Sequence, residues 1–130
     1  MIKLGEKQKL TVVKKVEFGI YLAQSAETSE DRVLLPAKQV PEGTAMGDTI
    51  EVFVYRDSQD RMIATTNTPK LVMGEVAELT VSQVSKFGAF LDWGLEKDLL
   101  IPFKQQLVRL QPGDNVLVSL YIDKSGRLCA

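Results

Sequence analysis

The stretch Ser85–Gly94, SKFGAFLDWG, sets Phe87 and Phe90 three residues apart around Gly88. An earlier stretch, EFGIYL from Glu17 to Leu22, repeats the arrangement with Phe18, Gly19 and Tyr21. Aromatic faces held in pairs at a surface stack flat rings, nucleobases above all, at roughly 1–3 kcal/mol per base. Side chains on a strand alternate faces, so residues three apart point to opposite sides unless the alternation is broken. In one arrangement, one ring of each pair fills a core, the ordinary fate of aromatics. In the other, a bulge at the glycine shifts the parity and turns both rings outward. Aliphatic residues of the neighbouring strands already fill the inward positions of so small a domain, which favours an extra residue at Gly88 and at Gly19.

The remaining chemistry is narrow. The chain has no histidine, the commonest general base and zinc ligand, and a single cysteine, Cys129. A Cys–His nucleophile, a zinc site and an internal disulfide are therefore excluded. Asp57 and Asp60 in DSQDR pair two carboxylates, but at a turn, and a second copy of the motif carries Gly126 in place of Asp60. A catalytic site needs more than that. Neither an enzyme, a metal site, a cofactor nor a small-molecule substrate is expected.

The motif recurs because the chain is duplicated. At a shift of 69, LTVVKKVEFGIYL (10–22) falls on LTVSQVSKFGAFL (79–91), and Gly5-Glu6 on Gly74-Glu75. After a loop three residues shorter in the second copy, the shift becomes 66. Pro36, Lys38 and Gln39 then meet Pro102, Lys104 and Gln105; Tyr55, Asp57 and Arg61 meet Tyr121, Asp123 and Arg127. The boundary falls near TTNTPK (65–70), giving domains 1–68 and 69–130. The second domain is expected to stop short in its last strand at Ala130.

Each copy reads as β. DTIEVFVY alternates Ile50, Val52 and Val54 inward with Glu51, Phe53 and Tyr55 outward, and NVLVSLYI repeats this with Val116, Val118 and Leu120 inward. First strands end at Val16 and about Ser85, RVLLP and KDLLIP make short third strands, and RDSQDR and DKSGR turn a final hairpin. FKQQLVRL allows a helical turn with Leu107 and Leu110 packing inward. The expected fold is all-β: two tandem five-stranded OB-fold Greek-key barrels, with SH3-like barrels the competitor. Trp93 reads as a barrel lid or a contact between copies, with base stacking the lesser reading.

With 130 residues, 25% charged and 45% hydrophobic, the composition is that of an ordinary globular protein. The net charge is −1, nine basic against ten acidic residues in the first copy and seven against seven in the second, which argues against a duplex-DNA binder. Lys3, Lys7, Lys9, Lys14 and Lys15 cluster along the first strand, while Glu27, Glu30 and Asp31 crowd the first copy's long loop. No apolar run makes a signal peptide or the roughly 20-residue span of a membrane helix, so a cytoplasmic protein with no membrane partner is expected.

VSQVSKFGAFLDWG, DLLIP and QPGDNVLVSLYIDKSGR together resemble the RNA-binding repeat first named in ribosomal protein S-one. The resemblance covers nearly the whole second copy and, more weakly, the first. It implies that both aromatics of the second strand face RNA, with a histidine of the third strand and the hairpin Asp and Arg. Carried over by position, these are Phe87, Phe90, Asp123 and Arg127 in the second copy, and Phe18, Tyr21, Asp57 and Arg61 in the first. The histidine is replaced by Ile101 and by Leu35; Lys104 and Lys38, three residues on, are the candidates to contact phosphate in its stead. More narrowly, the tandem layout and LDWGLEKDLLIPFKQQ resemble the N-terminal half of the conserved virulence factor B family. That resemblance implies a bacterial cytoplasmic regulator with further repeats and a winged helix beyond Ala130. The expected ligand is single-stranded RNA, bound with little sequence preference, and the alternative is an OB-fold module that binds a protein partner.

Overall fold

Runs of alternating β-branched and aliphatic residues, punctuated by Gly, Pro and Asp, decide where the strands lie. The computed structural model describes residues 2–25, 31–57, 59–106 and 108–130. The first copy forms β1 (Lys7–Val16), β2 (Gly19–Ala23), β3 (Arg32–Pro36), β4 (Thr49–Arg56) and β5 (Met62–Thr65). β1 pairs antiparallel with β2 and β4, β2 with β3, and β4 with β5. A parallel contact of Leu34 with Ile63 joins β3 to β5 and closes the ring in the order β1-β2-β3-β5-β4. That closure is the OB-type barrel, not the SH3-like competitor.

The second copy forms β6 (Val76–Ser85), β7 (Gly88–Asp92), β8 (Leu99–Pro102), β9 (Asn115–Ser119), β10 (Tyr121–Ile122) and β11 (Leu128–Cys129). β9 and β10 are two halves of one strand interrupted at Leu120. The order β9-β6-β7-β8-β11-β10 thus repeats the first barrel as a curled sheet. β11 has two residues where β5 has four. The chain divides into two units, Met1–Thr68 and Pro69–Ala130.

The inward faces are aliphatic. Leu10, Val12, Ile20, Leu22, Val33, Leu35, Val52 and Val54 cluster inside the first barrel, with Ile50 packed against them. Leu79, Val81, Leu91, Leu99, Ile101, Val118 and Leu120 are the buried equivalents in the second. Each such side chain contributes about 1.5–3 kcal/mol by leaving water. Phe53 and Tyr55 lie outside this cluster and stack on each other, ring centroids 6.3 Å apart. After the proline that ends each third strand comes a single 3-10 turn, Ala37–Gln39 or Phe103–Gln105. Leu110 is buried as the pattern expects; Leu107, Glu27 and Glu30 lie outside the described residues.

The expected bulge at the glycines is wrong. Gly19 and Gly88 continue the ladder without a slip, opposite Val16 and Ser85. The extra residue sits instead on the first strand of each copy, at Val13 and at Ser82, where the register shifts between Val12 and Lys14 and between Val81 and Gln83. The glycines have another job. Gly19 has φ +153° and Gly88 φ +147°, and a Cβ built there would lie 2.2 Å from the Leu35 carbonyl oxygen and 2.4 Å from that of Ile101. The third strand's backbone passes where a side chain would stand. Replacing Gly88 by Ala is therefore expected to cost about 2–4 kcal/mol, through overlap with rigid backbone plus an unfavourable φ. Urea unfolding should show a clearly lowered midpoint; an unchanged one would mean that β7 and β8 need no close approach.

Candidate functional site

Phe18 and Phe87 belong to the tight turns that join the first two strands, at Glu17–Phe18 and Lys86–Phe87, and not to strands. Their side chains are 58% and 63% exposed, values far outside the range of a core ring. Tyr21 and Phe90 sit two residues into β2 and β7. Ile20 and Leu22, and Ala89 and Leu91, are buried on either side of them, so Tyr21 and Phe90 face outward, half-exposed. Both rings of each pair thus reach solvent, one from a turn and one from a strand, with no break in parity. In the first unit they meet edge to face, centroids 6.4 Å apart.

The neighbouring third strand borders each face. Leu35 and Ile101, assigned in place of the missing histidine, are buried at 0% and 4% exposure and line the barrel interior. A group that meets a ligand must stand one residue to either side. Leu34 lies opposite Tyr21 and Pro36 opposite Gly19; Leu100 lies opposite Phe90 and Pro102 opposite Gly88. The alternation of RVLLP and LLIP contained this answer. It also contained Arg32, two residues before Leu34 on the same face, whose guanidinium lies 4.9 Å from the Tyr21 ring centroid. Lys86 stands over Phe87 at 5.3 Å.

The two faces differ in charge. Tyr21 has Lys14 across from it on β1 and Arg32 over its ring. Phe90 has Gln83 across from it on β6, and the position matching Arg32 is Asp98, which accepts from the Ser82 hydroxyl at 2.6 Å. Lys38 and Lys104, both exposed, occupy the middle of the 3-10 turns, two residues beyond the prolines that oppose the glycines. Trp93 is 2% exposed and its indole N–H donates to the Lys97 carbonyl at 2.6 Å, which removes it from stacking.

The hairpin aspartates shape their turns. Asp57 Oδ1 accepts from the backbone N–H of Gln59 and of Arg61, and Asp123 Oδ1 from those of Ser125 and Arg127 and from the Ser125 hydroxyl. Asp57 Oδ2 also receives the exposed Arg61 Nε at 3.0 Å, whereas Asp123 Oδ2 faces the Cys129 thiol at 3.6 Å. Burial works to raise the Asp57 carboxyl, but the Arg61 and Gln59 amides and the Arg61 guanidinium outweigh it and hold it below its ordinary value. The Ser125 hydroxyl and the Arg127 amide hold Asp123 lower, at about 2. Burial, then the Asp123 charge, pushes the Cys129 thiol up to about 11, so it stays protonated and inert at neutral pH. Among the described residues no group of acidic or cysteine side chains is disposed to hold a metal ion.

The S1 domain family matches residues 4–67 and 73–130, and the chain belongs to it. The chain is 31% identical over 133 residues to the uncharacterized protein YitL of Bacillus subtilis (strain 168), covering 97% of this chain and 43% of that protein. It is 29% identical over 87 residues to conserved virulence factor B of Staphylococcus aureus (strain MRSA252), covering 64% of this chain and 29% of that protein. A crystal structure of a multidomain protein with nucleic acid binding domains, from Streptococcus pneumoniae TIGR4, shares the fold with a TM-score of 0.78 at 20% identity. The match covers 97% of this chain and 44% of that one. The chain thus spans less than half the length of these relatives.

A pH prediction follows from the second hairpin. Asp123 titrates at about 2 in the folded protein against an ordinary 3.8, so its stabilisation is complete above about pH 4 and is lost as pH falls through 2. Asp123→Asn keeps the acceptor and removes the charge. It should cost about 1–2 kcal/mol at pH 7, after allowance for solvent screening, and progressively less between pH 4 and 2. Denaturant titrations across that range test it; a cost independent of pH would show that the charge is not what holds the turn.

Proposed function

We propose that each unit binds single-stranded RNA across the outer face of its second and third strands. The exposed ring pairs Phe18–Tyr21 and Phe87–Phe90 carry this proposal. Two aromatic rings left open to water are unfavourable unless something covers them, and bases cover them without regard to sequence. Leu34, Pro36, Leu100 and Pro102 supply an apolar floor beside the rings. Arg32, Lys14, Lys38 and Arg61 supply phosphate contacts in the first unit, and Lys86, Lys104 and Arg127 in the second. Asp57 and Asp123 act by fixing the hairpins that present Arg61 and Arg127. Membership of the S1 domain family and the nucleic-acid-binding domains named for the Streptococcus pneumoniae relative support the same reading. Two sites on one chain raise the affinity for a strand long enough to reach both. In the cell the module would serve a larger cytoplasmic regulatory protein with further domains, binding without catalysis.

Fluorescence anisotropy with short labelled RNA tests this. The Phe87→Ala/Phe90→Ala pair should weaken binding by tenfold or more, as the loss of two stacked bases implies. The logarithm of affinity should fall steeply with that of salt, and Arg32→Ala should lower that slope by about one. Between pH 6 and 8 affinity should stay flat, because the chain has no histidine to titrate. Binding unchanged in the double variant would end the stacking model. Absence of RNA binding, with salt-insensitive capture of a protein, would favour the partner-binding alternative.

A further inference from the structure

The duplication lets each unit serve as a reference for the other, and at one place they differ in volume. The first unit holds a shallow cleft of about 300 Å³ at the base of its first hairpin. Val16, Gly19 and Ile20 form its floor, Ala37 and Val40 one wall, and Gly43, Thr44 and Lys15 its rim. At the same places the second unit carries Phe103 for Ala37, Arg109 for Gly43 and Leu110 for Thr44. Phe103 is half-buried, Leu110 is buried, and the Arg109 guanidinium covers the Phe103 ring at 4.5 Å from its centroid. At the positions where the first unit has a small alanine and a glycine, the second thus carries a ring and a cation in contact with each other. The backbone frame is common to both: a proline opposite the hairpin glycine, then a single 3-10 turn.

We infer that this cleft is a binding site for one further nucleobase, stacked in the place of the Phe103 ring with Lys15 in the role of Arg109. The inference rests on the RNA-binding reading and extends it. A flat ring fits because a flat ring is what the repeat places there. A cation fits because Lys15 Nζ already lies at the rim, donating to the Thr44 carbonyl at 2.7 Å. An ammonium has three donors, so others remain for a base carbonyl or a phosphate. The cleft also adjoins the platform directly: the Ala37 N–H on its wall donates to the Phe18 carbonyl at 3.0 Å. A strand stacked on Phe18 therefore has its next base beside an apolar recess, and Lys14 and Lys38 stand nearby to meet its phosphates. The first unit accepts one nucleotide more than the second.

Two variants of the whole chain test this against a ladder of oligouridylates and oligoadenylates. Ala37→Phe closes the cleft with the ring the second unit tolerates. It should unfold as the wild type does, yet bind about fivefold or more weakly to oligomers long enough to reach the cleft, and unchanged to shorter ones. Phe103→Ala opens the matching space in the second unit while keeping the Arg109 cation and should strengthen binding to the longer oligomers. Equal affinity of Ala37→Phe and wild type at every length, or weakened binding by Phe103→Ala, would overturn the cleft as a base site. Phe18→Ala separates the two readings. If it weakens binding while Ala37→Phe does not, the platform stands and the cleft falls. If the wild type binds no oligomer, both fall.

Discussion

The passage of the third strand's backbone against a bare glycine governs the site in each unit. With a Cβ at Gly19 or Gly88, the carbonyls of Leu35 and Ile101 could not lie where they do, and β2–β3 and β7–β8 would separate. Because they do not, the hairpin turn is drawn down onto the proline that ends the third strand. The residue just before the glycine is left at the tip of a tight turn, where no neighbouring strand covers it. That residue is phenylalanine both times. Exposure of Phe18 and Phe87 is thus imposed by backbone contact on the far side of the strand, while exposure of Tyr21 and Phe90 follows from simple alternation. Two different causes expose the two rings of each pair.

On this common frame the units have diverged in what surrounds the rings. The first sets Lys14 and Arg32 about Tyr21; the second sets Gln83 and Asp98 about Phe90. Overall charge is close to balanced in both, so long-range attraction of a polyanion is weak and local placement must decide. A face with cations over its rings gains more from phosphates and is more sensitive to salt. The second face keeps Lys86 over Phe87 but has no cation opposite Phe90, and a face with fewer cations depends more on stacking, which salt hardly touches. The same divergence appears below the hairpin, where Ala37 and Gly43 border a cleft in one unit and the equivalent Phe103 and Arg109 contact each other in the other.

Much of this was legible in the sequence, for identifiable reasons. The duplication shows in matched Phe-Gly, Gly-Asp and Asp-x-x-x-Arg, and the strands show because inward Val, Leu and Ile alternate with polar residues over β1, β4, β6 and β9. The bulges at Val13 and Ser82 carry no glycine or proline to mark them, so they were placed at the glycines, where a break is more usual. The role of Gly19 and Gly88 depends on a contact with another strand, which local pattern does not record. Leu35 and Ile101 lie in the core because one residue along a strand is enough to send a side chain from one face to the other. Applying the alternation of RVLLP strictly would have put Leu35 inside and found Arg32. The pairing of Phe103 with Arg109 was hidden because that segment read as a helical turn rather than a 3-10 turn and loop.

The hairpin aspartates show how a conspicuous carboxylate can be occupied by its own turn. An aspartate whose Oδ1 accepts two backbone N–H groups across a turn has little capacity left on that oxygen for a base or a ribose hydroxyl. Its value lies in rigidity. By tying positions two and four residues ahead, Asp57 and Asp123 fix the hairpin backbone from which Arg61 and Arg127 extend. In the first unit the carboxylate also holds the Arg61 guanidinium in place, which reduces the freedom of that side chain. In the second, Asp123 Oδ2 faces the buried Cys129 thiol. The same Asp-x-x-x-Arg spacing therefore ties the same two backbone amides in both hairpins, while in the second the outer carboxylate oxygen also meets a thiol.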